Sequence, residues 1–220
     1  MEVFHMRQVV HHEVVSVQSR LAELGLDEAD LRDAVMQGML ARSECTPNDP
    51  PLTPGFNSWS RTVRALREKL IPKHWTRSDE GNYPLVVNPA GNLAIAVATG
   101  DDCTAIATSN PMTKSPKGPR TQSAIEVNQY QSSLFEGFPD FDVPATPHND
   151  RVTWILLQHY DQRKKEVRFE LSRPSSYAGK IDGWSERIIL NGLPFDPALV
   201  IPVPMVPNLP DIDIPLIRRA

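Results

Sequence analysis

Apolar residues at Val9, Val10, Val14, Val17, Leu21 and Leu24 recur at spacings of mainly three and four, the period of an amphipathic helix. Gly25 is a natural stop, since glycine tolerates the left-handed backbone that ends helices. Asp27 is placed to cap a second helix through Leu31, Val35, Met39 and Leu40. The stretch TPNDPPLTPG (46–55) follows, and its prolines at 47, 50, 51 and 54 remove amide donors and fix φ. A third helix is expected over NSWSRTVRALREKLI, capped by Asn57 or Ser58, with Trp59, Val63, Leu66 and Leu70 as its apolar stripe.

The period then changes from helix to strand. Two apolar runs in YPLVVNPAGNLAIAVATG flank Asn88-Pro89-Ala90-Gly91, which predicts a β-hairpin. NLAIAVAT is apolar on both faces, as a central strand must be. Residues 121–135 return to helical spacing, with Ala124, Val127 and Leu134 expected to face inward. RVTWILLQHY and KEVRFELSR read as two strands joined at Asp161-Gln162-Arg163-Lys164, and WSERIILNG reads as a third, with Arg187 among apolar neighbours. Val167, Phe169 and Leu171 alternate with Glu166, Arg168 and Glu170, which predicts one wet sheet face.

These elements predict an α+β fold: a mainly antiparallel sheet of about five strands with helices on one face, an N-terminal helical hairpin and a proline-rich extended C-terminal tail. The corresponding segments are a hairpin at 1–45, a linker at 46–55, a body at 56–193 and a tail at 194–220. In the tail, VIPVPMVPNLPDIDIPLIRRA, the prolines favour polyproline II with apolar side chains between them. Ile201, Val203, Met205, Leu209, Ile212 and Ile214 are therefore candidate partner-binding residues, on this chain's own body or on another subunit.

Composition narrows the function classes. The chain has 220 residues and 40% hydrophobic content, enough to bury a core. No window has the ~18 apolar residues of a membrane span, and the first residues carry charges where a signal sequence would be apolar. Cys45 and Cys103 are the only cysteines, too few for a disulfide framework or a four-cysteine zinc site. A cytoplasmic protein is expected, without membrane contact and without a cofactor or metal.

The net charge of −4 hides a segregation. Residues 1–50 hold nine acids and four bases (−5), and residues 51–80 hold three acids and six bases (+3). Residues 151–180 hold three acids and seven bases (+4). Basic blocks between acidic ones are either solvated surface or a nucleic-acid footprint. The footprint would comprise Arg61, Arg64 and Lys73 in the first block and Arg163, Lys164 and Lys165 in the second. Lys114, Lys117 and Arg120 in TKSPKGPRT would extend it. That loop cannot be a nucleotide-binding P-loop, because Gly118 is its lone glycine and Pro116 and Pro119 delete two amides. It reads as a stiff surface turn first and a phosphate contact second.

Catalytic signals are sparse. Asp101 and Asp102 follow an apolar strand, a favourable place for chemistry, and Asp140 and Asp142 lie in LFEGFPDFDVP. Together they are the candidate acidic residues of a metal-dependent hydrolase or nuclease. No acid-x-Lys triplet falls on a late strand, no histidine lies near Cys103 in sequence, and the six histidines lack HExxH spacing.

PPLTPGFNSWSRTVRALREKL, NYPLVVNPAGNLAIAVATGD, TKSPKGPRT and RFELSRPSS…GWSERIIL together resemble a group of uncharacterised bacterial proteins associated with mobile elements and defence loci. The resemblance spans residues 45–192. It implies a role beside nucleic acid, such as antiviral defence, and supplies no catalytic residue. The sequence thus leads to a non-catalytic subunit of a bacterial assembly that binds nucleic acid or a protein partner and can oligomerise. The alternative is the hydrolase or nuclease with the dispersed acidic site.

Overall fold

The structure, a computed structural model, describes residues 8–135 and 151–195, with side chains in the first stretch described as far as Gln129. Among these residues a seven-stranded sheet runs in the order β1-β7-β6-β5-β4-β3-β2. Its strands are β1 (Val9–His11), β2 (Thr76–Ser78), β3 (Leu85–Val87), β4 (Leu93–Thr99), β5 (Val152–Asp161), β6 (Glu166–Tyr177) and β7 (Ile181–Pro194). The helices are α1 (Val14–Glu23), α2 (Glu28–Ser43), α3 (Thr53–Leu70) and α4 (Pro119–Phe135). The α+β class is as expected, and the five strands foreseen are β3 to β7. The count is larger by two short edge strands, and the sheet is mixed, with parallel pairings at β1–β7 and β4–β5.

The two added strands explain one misreading. Val9 and Val10 continue the helical spacing of α1, yet they pair in parallel with Glu186 and Arg187 at the sheet edge. Pairing with β7 overrides a local pattern that three residues are too few to define. The helix begins only at Val14. Its end follows expectation: Gly25 adopts φ +70° and Leu26 N–H donates to Leu21 O at 2.9 Å, closing a left-handed cap. α3 begins at Thr53, earlier than the proline spacing suggested, because Pro54 falls in its first turn, where no amide partner is lost.

Helices cover both sheet faces, not one. On the first face, Leu31 and Val35 of α2 and Leu66 and Leu70 of α3 pack with Ile95, Trp154, Leu156, Phe169 and Ile188. On the second, Ile125 of α4 packs with Ala96, Ala98, Ile155 and Leu157. Alternate residues of β4 and β5 therefore feed two cores, which is why NLAIAVAT is apolar throughout. The inward face of α4 is set by Thr121, Ile125 and Asn128, each at most 5% exposed, instead of Ala124 and Val127, which are half-buried. Leu134 lies outside the described side chains.

The expected wet face of β6 is covered too. Glu170, Ser172 and Arg187 are fully buried there, under the loop that leaves β4. Arg187 Nη1 donates to Ser109 O (2.5 Å) and Nη2 to Ile106 O (3.3 Å), while Ala105 N–H donates to Glu170 Oε2 (2.7 Å). A buried ion pair thereby pins the loop to the sheet. Beside it, Asn128 replaces a stretch of ladder. Its Nδ2 donates to Thr153 O (2.9 Å) and Pro174 O (3.1 Å), and its Oδ1 accepts from Thr153 N–H (2.9 Å). Pro174 has no N–H to offer β5, so an amide side chain closes the gap.

Candidate functional site

Of the four acidic candidates, Asp101 and Asp102 lie among the described residues, side by side after β4. Asp101, at the end of β4, spends its carboxylate on the backbone: Oδ1 accepts from Cys103 N–H (3.1 Å) and Oδ2 from Met112 N–H (3.0 Å). These bonds staple the two ends of the loop that covers Glu170. Asp102 is exposed, and its carbonyl accepts from Arg168 Nη2 at 2.8 Å. Potential ligand atoms of Asp101, Asp102 and Cys103 lie within 4.8 Å of one another, but Asp101 is committed to holding the loop. Asp140 and Asp142 lie outside the described residues.

The basic candidates separate into paired and unpaired groups. On α3, Arg64 Nε meets Glu68 at 2.7 Å, and just beyond it Lys73 Nζ meets Asp27 (2.5 Å) and Asp30 (2.6 Å) of α2. Lys69 reaches Asp33 at 2.7 Å, and Arg67 reaches Asp79 at 2.6 Å. The acidic block of residues 1–50 thus pairs with Lys69 and Lys73 of the basic block that follows, while Arg64 and Arg67 pair within that block. Asp27 does sit at the N-cap of α2, but its carboxylate goes to Lys73 instead of to the helix amides. Hydrogen bonds from Lys73 to Asp27 and then Asp30 raise the lysine's pKa.

Arg120 pairs with Glu80 at 3.1 Å. Arg61, Lys114, Arg163 and Lys164 are exposed, and no ion pair holds them among the described residues. Lys165 adopts φ +51° in the β5–β6 turn. The turn is organised by Asp161 Oδ1, which accepts from the N–H groups of Arg163 and Lys164 at 3.0 Å each. The backbone hydrogen bond from Lys164 is the largest influence holding the Asp161 pKa below the usual carboxylate range.

Lys117 differs from its neighbours in the loop. Burial lowers its pKa, and no carboxylate pairs with it among the described residues. It lines a cavity of about 260 Å³ at the open edge of β4, together with Trp59, Tyr83, Ala96, Ala98 and Thr121. β3 pairs with β4 only at Ala94 and Ile95, and Pro84, next along, lacks the N–H that would extend the ladder. Six separate chain segments meet there, so no contiguous motif announced it. The lone signal was the loop's cluster of cations.

The tail candidates Ile201, Val203, Met205, Leu209, Ile212 and Ile214 lie outside the described residues. The described chain ends at Phe195, whose N–H donates to Lys165 O at 2.6 Å. A different apolar surface is visible. Leu52, Phe56, Trp59 and Val63 follow one face of α3; Leu52 and Phe56 are 84% and 61% exposed, and the Phe56 and Trp59 rings touch with centroids 5.8 Å apart.

Comparison with family models, with curated proteins and with solved structures finds no match for this chain. Among the described residues, no helix is long and apolar enough to cross a membrane.

Proposed function

We propose that this chain is a non-catalytic, cytoplasmic subunit of a bacterial assembly, and that it engages a protein partner through α3. The supporting observation is the stripe that begins with Leu52 and Phe56. Two large apolar side chains one turn apart stand in solvent at the start of a helix that buries Thr62, Ala65, Leu66 and Leu70 on one face of its later turns. Covering both would favour association by roughly 3 kcal/mol or more. The engagement of Asp101 with backbone amides supports the non-catalytic reading. The sequence resemblance supports the setting, a mobile-element or defence locus.

A photo-crosslinker placed at Phe56 in the living bacterium tests this. A discrete crosslinked partner that disappears in the Leu52→Ser variant is expected. Diffuse crosslinks to bulk protein, unchanged by Leu52→Ser, would sink the proposal.

A nucleic-acid role is the second reading, favoured by Arg61, Lys114, Arg163 and Lys164, which are exposed and have no ion pair among the described residues. Phosphate contacts make affinity fall steeply with salt. Retardation of DNA or RNA probes at low salt, with a slope flattened by Arg163→Ala and Lys164→Ala, is the expected signature. Absence of any retardation at micromolar protein removes this reading.

A further inference from the structure

The cavity at the edge of β4 combines features that a packing defect would not. Its floor is apolar, with Ala96 and Ala98 leaving room where larger residues would fill the space. Trp59 forms one wall. Among the described residues no acidic side chain lines it, and Lys117 is the one charged residue that does. An ammonium partly withdrawn from water without a counter-ion is costly to keep unless something offsets it. The positive end of the α4 macrodipole also borders the cavity at Gly118 and Thr121.

A second polar group there lacks a partner. The Tyr83 hydroxyl is enclosed, lies near the Thr121 hydroxyl, and makes no hydrogen bond of good geometry among the described residues. Burial pushes its phenol up to about 12, so it keeps its proton at neutral pH. Thr121 is itself 5% exposed.

Lys117 and Thr121 therefore offer donors beside a space that no carboxylate lines among the described residues, with the Tyr83 hydroxyl enclosed next to Thr121. Phosphate is a poor fit, because such sites rely on a run of backbone amides and Pro116 and Pro119 remove two of them. A carboxylate needs fewer donors. The apolar floor and the indole suit a compact hydrophobic body. At about 260 Å³ the cavity lies just below the ~300–1,000 Å³ of ligand pockets, which suits a compact body such as benzoate.

We propose that this cavity binds a small organic carboxylate with an apolar body, its oxygens at Lys117 and Thr121 and its body between Trp59 and β4. The inference goes beyond the partner reading, which concerns the exposed start of α3, and either can fail alone.

Calorimetric titration of the full chain with sodium benzoate tests it, with benzamide and inorganic phosphate as parallel probes. Saturable benzoate binding is expected, with benzamide and phosphate at least about tenfold weaker, the factor that one charge-assisted hydrogen bond commands. Lys117→Gln should weaken benzoate by about the same factor while leaving the melting temperature in place. Thr121→Val provides a second variant and should weaken benzoate while benzamide stays weak. Absence of saturable benzoate heat up to tens of millimolar, benzamide binding as well as benzoate, phosphate binding better than either, or indifference to Lys117→Gln would each overturn the proposal.

Discussion

Glu170 of β6 and Arg187 of β7 form a bidentate ion pair with no exposure of either side chain: Nε lies 3.0 Å from Oε1 and Nη2 lies 2.5 Å from Oε2. Ser172 Oγ donates a further bond to Glu170 Oε1 at 2.7 Å. Breaking such a pair from one side strands the other charge, whereas replacing both partners by apolar groups avoids that penalty. Arg187→Met should therefore cost about 3–5 kcal/mol in urea unfolding. The double variant Glu170→Met, Arg187→Met should recover most of that loss. It should still lack the bonds to Ser109 and Ile106, so amides of residues 101–113 should exchange faster than in the parent. A double variant as unstable as the single one would mean that the pair stabilises the fold beyond mutual neutralisation.

Asn128 carries a comparable load with no charge. Asn128→Ala would leave the Thr153 N–H and two carbonyls without this partner in a buried place. An unsatisfied buried group costs about 1–3 kcal/mol, so chemical denaturation should register a loss of roughly 3 kcal/mol. A loss below about 1 kcal/mol would show that water or the neighbouring backbone takes over the bonds.

These two sites show where sequence patterning reaches its limit. Alternation along β6 identifies Glu170 as facing away from Phe169, but polarity does not reveal whether that side meets water or a loop. The five longer or hairpin-linked strands were legible because each carries enough residues to show a period or a turn. The three-residue strands β1 and β2 carry too few. Charge segregation was legible as blocks, yet its meaning depended on α2 lying against α3. Asp27, Asp30 and Asp33 at three-residue spacing and Lys69 and Lys73 at four-residue spacing did hold that pairing in principle. The cavity at β4 was out of reach, since Trp59, Tyr83, Ala98 and Lys117 come from four distant segments.

Gly38 explains how closely those helices approach. A Cβ at that position would stand 2.0 Å from Thr62 Oγ1 and 2.7 Å from the Ser58 carbonyl. The second contact is with backbone, so rotation of a side chain cannot relieve it. Gly38→Ala should destabilise the fold by about 1–3 kcal/mol, as overpacking does, although alanine is the better helix former. An unchanged or raised melting temperature would mean that the helices slide apart without penalty.

The β5–β6 turn offers a pH-dependent test. Backbone donors hold the Asp161 pKa below its ordinary value, so its contribution is complete above the unfolded pKa of about 3.9. It disappears as pH falls through the lower folded value. Asp161→Asn keeps an acceptor for Arg163 and Lys164 without titrating. The wild type's melting-temperature advantage over Asp161→Asn should be constant at pH 5–7 and shrink on acidification below about pH 4. A difference independent of pH would show that the carboxylate charge contributes nothing to the turn.

Lys69 and Lys73 make the opposite prediction at alkaline pH. Hydrogen bonds to Asp33, and to Asp27 and Asp30, raise both lysine pKa values. A raised folded pKa means that the stabilisation is fully present below the unfolded value of about 10.4 and is lost as pH rises through the folded one. These groups are exposed, so salt should weaken them as well. Lys73→Gln should lower the melting temperature at pH 7 and low salt, with the gap closing at high salt and again above about pH 10.5. Under the second functional reading, the same variant should leave any nucleic-acid affinity nearly unchanged, because Asp27 and Asp30 already occupy its charge. A marked drop in probe binding for Lys73→Gln would place Lys73 on phosphate and require α2 to release it.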